Sequence, residues 1–302
     1  MIRFEDFSKS FSRQRAVEGL TLAVETGEVV ALLGPNGSGK TTSLKAAAGL
    51  VHPTAGRVLV GASGESLRPA DEPDARKVLS YLPQRVSFPD ALTGREVLDF
   101  YRKLRGVSAS RVDDALRLAS LNGSATRTVG TYSGGMVQRL GLAVAVLPDA
   151  PVLLLDEPTA ALDPDGLCAF YGLVEARRRA GKTVLFTSHQ LGDVEQLAGR
   201  IAILVDGKLV ALLSAGELAT RLAERGVMRV RIPVRPEGLL DTVRPLAPEA
   251  AWIGEELVVP GPARRRPAVL DALRAAGAEI AGLTAQEGRL EELYRELVQE
   301  HS

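Results

Sequence analysis

The sequence predicts an α/β fold built on a mainly parallel sheet, with a helical insert and a small α+β appendage at the C-terminal end. Three observations carry this. Between residues 135 and 205, short apolar strands alternate with helical segments, the rhythm of a parallel sheet wrapped by helices. Near residue 40 a glycine-rich loop joins an apolar run to a helix. After about residue 225 the order of elements becomes β-α-β-β-α-β, the split ferredoxin-like arrangement. The 302 residues therefore divide unevenly, into a large domain over 1–222 and a small one over 223–302.

Residues 1–25 alternate as strands, with Leu20, Leu22 and Val24 on one face. Glu28 to Leu33 is nearly all apolar and ends at Gly34, as a buried parallel strand does. Lys40 to Leu50 reads as a helix stopped by Gly49 and Pro53, and Val78 to Leu82 as another strand. Thr93-Gly94-Arg95-Glu96 fits a capping box, and Val97, Phe100, Tyr101 and Leu104 recur behind it at helical spacing. Gly106 and Val107 separate this helix from a second, whose apolar face holds Val112, Leu116 and Leu118 or Ala119. A helical subdomain thus occupies about 85–145.

The alternation then runs helix Gly135–Leu147, strand Val152–Leu155, helix Pro164–Arg179, strand Thr183–Thr187, helix Gly192–Leu197 and strand Ile201–Val205. Asp206-Gly207 is a hairpin dipeptide, so the strands beside it should pair antiparallel. Met228, Val230, Ile232 and Val234 alternate with Arg229, Arg231 and Pro233, and the proline implies an edge strand. A short helix near 236–243, two strands near 250–259, a helix from Pro267 to Ala276, a strand at 279–284 and a helix at 288–299 follow.

Composition sets limits on partners. Lys+Arg and Asp+Glu both number 37, so no excess of cations is available to displace counterions from a nucleic acid. No nucleic-acid partner is expected, though a local anion site is compatible with zero net charge. The single cysteine, Cys168, excludes an intrachain disulfide and fits a reducing compartment; its neighbours Leu167, Phe170, Tyr171 and Val174 suggest packing. Met1 to Asp6 has acids where a secretory signal needs an apolar core. The longest apolar stretch, Leu140 to Leu155, is broken by Pro148, Asp149 and Pro151, so a soluble chain is expected, with any membrane role supplied by a partner.

The strongest signal is Gly34-Pro35-Asn36-Gly37-Ser38-Gly39-Lys40-Thr41, followed by Thr42. It matches G-x-x-x-x-G-K-[ST] and lies between an expected strand and an expected helix, the context this motif requires. Its glycines let successive N–H groups turn toward phosphate oxygens, and the helix start adds partial positive charge. Lys40 supplies a full charge near the β- and γ-phosphates, and Thr41 a hydroxyl for Mg²⁺. A second element, Val152-Leu153-Leu154-Leu155-Asp156-Glu157, is a buried strand ending in two carboxylates. Asp156 suits hydrated Mg²⁺, and Glu157, one residue on, can polarise an attacking water.

These residues resemble the ATP-binding-cassette (ABC) ATPases, over roughly residues 1–220, and further motifs extend the resemblance. Tyr132-Ser133-Gly134-Gly135-Met136 is similar to the family signature that contacts ATP held by the opposite protomer, and Ser133 is independently a good helix cap. Gln84, in Tyr81-Leu82-Pro83-Gln84, corresponds to the glutamine that senses Mg²⁺ and touches the transmembrane partner. Asp163, before Pro164, matches the loop that communicates across the dimer, and His189 the histidine that holds the γ-phosphate. A lone histidine after a strand is usually structural, and only its position downstream of the Asp156-Glu157 strand in this fold makes His189 functional; His52 and His301 are read as incidental. Phe11 stands where the family often has a tyrosine stacked on adenine, and Met136 where glutamine is commonest.

The resemblance implies ATP and Mg²⁺ as cofactors, with Thr41, Gln84 and Asp156 at the metal. One set of motifs per chain implies a head-to-tail homodimer. The leading reading is the ATPase subunit of a membrane transporter, peripheral on the cytoplasmic face of the inner membrane and driving a separately encoded permease, in the export direction. The alternative is a soluble mechanochemical ATPase acting on ribosomes or DNA. Against it, Lys40 and Ser133 lie only 93 positions apart with no heptad run between them, and the chain carries a single cassette. The ending Gly288-Arg289-Leu290-Glu291-Glu292-Leu293-Tyr294 is similar to drug and polysaccharide efflux subunits. Tyr81 to Leu104 also resembles the copper-processing type that matures nitrous oxide reductase.

Overall fold

The computed structural model describes residues 1–300 except Arg13 and Glu65, so His301 lies outside the described residues. It forms two compact units, Met1–Leu212 and Leu213–Glu300. The break falls ten residues before position 222, because the helix at 215–224 belongs with the second unit.

The first unit opens with β1 (Ile2–Phe11), β2 (Gln14–Val24), β3 (Val29–Leu33), α1 (Lys40–Ala47), β4 (Ala55–Val60), β5 (Arg68–Pro69), α2 (Pro73–Lys77) and β6 (Leu79–Leu82). The helical subdomain supplies α3 (Gly94–Arg105), α4 (Ser110–Leu118) and α5 (Gly134–Val146). Then come β7 (Val152–Leu155), α6 (Pro164–Arg179), β8 (Thr183–Ser188), α7 (Leu191–Leu197), β9 (Arg200–Val205) and β10 (Lys208–Ser214). A six-stranded sheet runs β10-β9-β3-β8-β7-β6, and its β9-β3-β8-β7-β6 part is parallel. Every residue of β3, β7 and β8 is buried, as strands covered on both faces must be. A second, antiparallel sheet has the order β2-β1-β4-β5. Phe4, Phe7, Leu20, Leu22 and Val58 from this sheet share one apolar core with Leu32, Leu154 and Leu185 from the other.

Local chemistry sets the element ends. The Thr93 hydroxyl accepts from the Glu96 N–H while the Glu96 carboxylate takes the Thr93 N–H, closing the capping box that starts α3. Asp206 and Gly207 take φ of 47° and 82°, the two-residue hairpin turn between β9 and β10. Cys168 corrects the sequence reading. It is exposed, because α6 turns Gly166, Phe170, Leu173, Val174 and Arg177 inward and leaves position 168 on the outer face.

Asp149, which follows α5, joins the helical subdomain to the sheet. Its carboxylate meets Arg177 at 2.8 Å, Lys182 at 2.7 Å and Arg111 of α4 at 3.7 Å. Burial opposes its ionisation, but the Lys182 hydrogen bond and the charges of Arg177, Lys182 and Arg111 outweigh that, holding the carboxyl below the ordinary aspartate value. A depressed folded pKa gives stability that is present above the unfolded value and lost as pH falls through the folded one. Because the side chain is half exposed, Asp149→Asn should cost only about 1 kcal/mol at neutral pH. Urea unfolding should show that gap at pH 7 and its closure below about pH 4; a gap independent of pH would refute the ionic origin.

The second unit contains α8 (Ala215–Glu224), β11 (Val227–Arg231), α9 (Leu239–Val243), β12 (Ala251–Ile253), β13 (Glu256–Pro260), α10 (Arg266–Ala275), β14 (Gly282–Gln286) and α11 (Leu290–Gln299). From β11 to β14 this is the β-α-β-β-α-β order, with an antiparallel sheet β12-β13-β11-β14. Met228, Val230, Leu257 and Val259 pack with Leu239, Val243, Val269 and Leu273. The edge-strand expectation is corrected: β11 is central, paired on both sides, and ends at Arg231, so Pro233 lies beyond the ladder and is never asked to donate. Among the described residues, no helix is long and apolar enough to cross a membrane.

Candidate nucleotide site

Four adjacent parallel strands, β3, β8, β7 and β6, end at one edge of the sheet, and each leads there into a segment that the sequence motifs single out. Leu33 pairs with Ser188, and Leu155 pairs with both Leu82 and Phe186. Gly34, His189, Asp156 and Gln84 each follow one of these strand ends within two residues. Ligands bind where the carboxyl ends of parallel strands converge, and this edge is such a place.

The loop from Gly34 to Gly39 is backbone-limited. A Cβ on Gly34 would stand 2.3 Å from the Leu204 carbonyl oxygen, and one on Gly39 2.6 Å from that of Ala16. Gly39 also takes φ 95° as the cap of α1, so a side chain is excluded by conformation as well as by space. The first turn of α1 leaves N–H groups without helical acceptors, aimed at the loop. Lys40 is buried, and its Nζ donates to the carbonyls of Gly34 at 2.8 Å and Pro35 at 2.9 Å. Burial lowers its pKa, opposed by the negative charges of Glu157 and Asp156.

The fully buried Asp156 is held from two sides. The hydroxyls of Thr41 (3.0 Å) and Thr187 (2.8 Å) both donate to its Oδ1, while Tyr81 OH stands 3.5 Å from Oδ2. Burial, then the Asp156 charge and hydrogen bond, raise the Tyr81 pKa, so its hydroxyl stays protonated and can only donate to the carboxylate. Glu157 sits at φ 46°, a left-handed conformation costly for a non-glycine residue. Its N–H donates to Thr187 Oγ1 at 2.8 Å, which fixes that turn. Gln84 Nε2 donates to Glu157 Oε2 at 2.8 Å, and His189 Nδ1 lies 3.5 Å from the same oxygen.

One open pocket brings together Phe11, Asn36, Lys40, Thr41, Gln84 and Glu157. Phe11 is half exposed, with one ring face under Lys9 Nζ at 5.0 Å. The signature segment does not line this pocket. Ser133 caps α5 by accepting the Met136 N–H at 3.2 Å, and Ser133 and Gly134 are exposed. Asp163 caps α6 through the Gly166 N–H at 2.8 Å and stands 3.6 Å from Arg139 of α5, so the signature helix and the Asp163 loop are neighbours within the chain. Pattern reading did not mark Thr187, Tyr81 or Asp193 as site residues.

The donor set suits a magnesium nucleotide. Hard oxygen donors, the Asp156 carboxylate and the Thr41 hydroxyl, are what Mg²⁺ prefers. Ser38 Oγ is buried with no protein partner, a polar atom left for a ligand.

Residues 17–160 match the family described as ABC transporter. An uncharacterized ABC transporter ATP-binding protein of Bacillus subtilis is 38% identical over 216 residues, covering 69% of each chain. The Nod factor export ATP-binding protein I of Burkholderia lata is 37% identical over 214 residues, covering 70% of this chain and 69% of its own. A dimeric ATP-binding cassette solved in a post-hydrolysis state with ADP and Pi superposes with a TM-score of 0.64. It is 25% identical and covers 71% of this chain and 99% of its own.

Proposed function

The chain belongs to the ABC transporter ATP-binding cassettes, and on that footing we propose that it is the ATP-hydrolysing subunit of a membrane exporter, a head-to-tail homodimer driving a separately encoded permease. The observation that carries the reading is the contact chain from the Gly34–Thr41 loop through Asp156 and Thr187 to Glu157, Gln84 and His189. It supports the reading because phosphoryl transfer needs a phosphate cradle, hard metal donors, a general base and a polar clamp close together, and these side chains meet at one strand edge.

In this reading Phe11 stacks on adenine, the 34–42 backbone and Lys40 hold the phosphates, and Glu157 orients and deprotonates the attacking water. Gln84 aims the Glu157 carboxylate, and His189 donates toward the γ-phosphate. Thr41, Asp156 and Gln84 would hold Mg²⁺, which would offset the negative charge of the phosphate oxygens and so ease the approach of a nucleophile. Ser133, Gly134 and Gly135, which lie outside the nucleotide pocket of their own chain, serve the nucleotide of a second copy, with Asp163 beside them. The export direction is supported by likeness to a protein named for Nod factor export, and the cytoplasmic membrane face is where such a subunit meets its permease.

The helical subdomain offers a surface for that permease. Phe88, Tyr101 and Phe100 form edge-to-face pairs at 6.2 Å and 5.4 Å, while Phe100 and Leu104 are 59% and 68% exposed. Burying a Phe or Leu side chain contributes about 1.5–3 kcal/mol. The Phe100→Asp/Leu104→Asp variant should therefore lose about a hundredfold or more in affinity for a membrane partner. Affinity purification from detergent-solubilised membranes tests both points. The wild type should retain a polytopic protein that the double variant loses; retention of ribosomes or DNA instead would reject the transporter reading.

A further inference from the structure

Asp193 lies behind the strand edge, in the first turn of α7, and none of the roles above uses it. Its residue is 2% exposed, and hydroxyls from three segments stand within hydrogen-bond reach of its carboxylate. Thr159 Oγ1 stands 2.5 Å from Oδ2, Tyr171 OH 2.6 Å from Oδ1 and Ser188 Oγ 3.3 Å from Oδ2. A buried carboxylate is costly unless its lone pairs are met; here Thr159 and Tyr171 donate to it, while the single Ser188 proton is shared between Asp193 and the Gln190 carbonyl at 3.1 Å. Burial, then the hydrogen bond to Asp193, push the Tyr171 pKa up to about 12, so this hydroxyl remains a donor at neutral pH.

The placement of the three donors matters more than their number. Thr159 is two residues past Glu157, on the stretch that leads to Asp163. Ser188 directly precedes His189, and its Oγ also accepts the Gln190 N–H at 2.9 Å, pinning the turn that carries the imidazole. Tyr171 lies on α6, the helix Asp163 caps. A second tie, Glu157 N–H to Thr187 Oγ1, crosses the same two segments on the nucleotide side.

We propose that Asp193 is a positioning residue for hydrolysis: it locks the 157–163 loop, the His189 turn and α6 into one body, so that the groups facing the γ-phosphate keep their spacing. This rests on the assignment of Glu157 and His189 to the γ-phosphate. Misplacing such groups by a fraction of an ångström to an ångström lowers turnover without loosening a nucleotide held mainly by the phosphate loop.

Full-length wild type, Thr159→Val, Thr159→Ser, Tyr171→Phe, the Thr159→Val/Tyr171→Phe double variant and Asp193→Asn would be compared for kcat, KM, ATP affinity and Tm, with Glu157→Gln as a control. The double variant should lose about tenfold to a hundredfold in kcat while KM and ATP affinity stay within about twofold. Thr159→Ser, which keeps the hydroxyl, should retain turnover where Thr159→Val does not. The near-isosteric hydroxyl deletions keep the test valid if Asp193→Asn fails to fold. A folded double variant with wild-type kcat beside an inactive Glu157→Gln would overturn the positioning role and leave the site intact. Loss of kcat in step with ATP affinity would reduce Asp193 to packing and overturn it too. Full activity in Glu157→Gln would instead remove the site assignment beneath it.

Discussion

Glu157→Gln should bind ATP with nearly unchanged affinity and hydrolyse it about a hundredfold to a thousandfold more slowly, the usual range for a lost general base. The substitution keeps shape and removes charge. The side chain is 12% exposed and hydrogen-bonded by Gln84, so the new amide still fills its place, but it cannot take a proton from water. The phosphate loop, Lys40 and Asp156 are untouched, so binding survives. Removing the Glu157 charge also removes a repulsion toward the γ-phosphate, so the affinity should not fall. The left-handed turn at φ 46° is shared by both residues, so Tm should barely move. Phosphate release, nucleotide binding and thermal unfolding check the three claims. Hydrolysis at the wild-type rate would take Glu157 out of the chemistry.

The parts of this site that were legible in the sequence are those whose chemistry demands contiguous residues. A phosphate cradle needs glycines, a lysine and a hydroxyl within one turn, and Gly34 to Thr41 shows all of them in order. The Asp156-Glu157 pair was legible because a buried strand must end before two carboxylates. The rest depends on strand order. Thr187 reaches Asp156 only because β7 and β8 are neighbours, and the partners of Asp193 come from positions 159, 171 and 188. No periodicity marks such a set, and a lone aspartate in the first turn of a helix looks like an ordinary dipole partner.

Elements behaved the same way. The β3 and β7 strands are buried on both faces and read as unbroken apolar runs, whereas β4 buries only Val58 and Val60 and left no pattern to find. The errors at Cys168 and Pro233 share a cause. Neighbours in sequence are not neighbours in space: a helix turns position 168 away from 170 and 174, and a strand can stop two residues short of a proline.

Two inactive variants should restore hydrolysis when mixed. Lys40→Met removes the phosphate charge while keeping most of the buried stem, and so disables the nucleotide loop of its own chain. Gly134→Arg acts on the other surface. A Cβ at Gly134 meets nothing within 4 Å, so the new side chain starts into open space and should leave the fold in place while blocking what approaches the start of α5. In a head-to-tail pair each nucleotide lies between one chain's loop and the other's signature, so either homodimer has two broken sites, and loss of such donors costs about a hundredfold to a thousandfold. In the mixed dimer one site is doubly broken, but the other joins the intact loop of the Gly134→Arg chain to the intact signature of the Lys40→Met chain. Random pairing makes half the dimers mixed, and each has one working site of two, so turnover should recover to about a quarter of wild type. If each chain completed its own site, the mixture would stay inactive. Normal activity of Gly134→Arg alone would mean that the exposed start of α5 never meets a nucleotide.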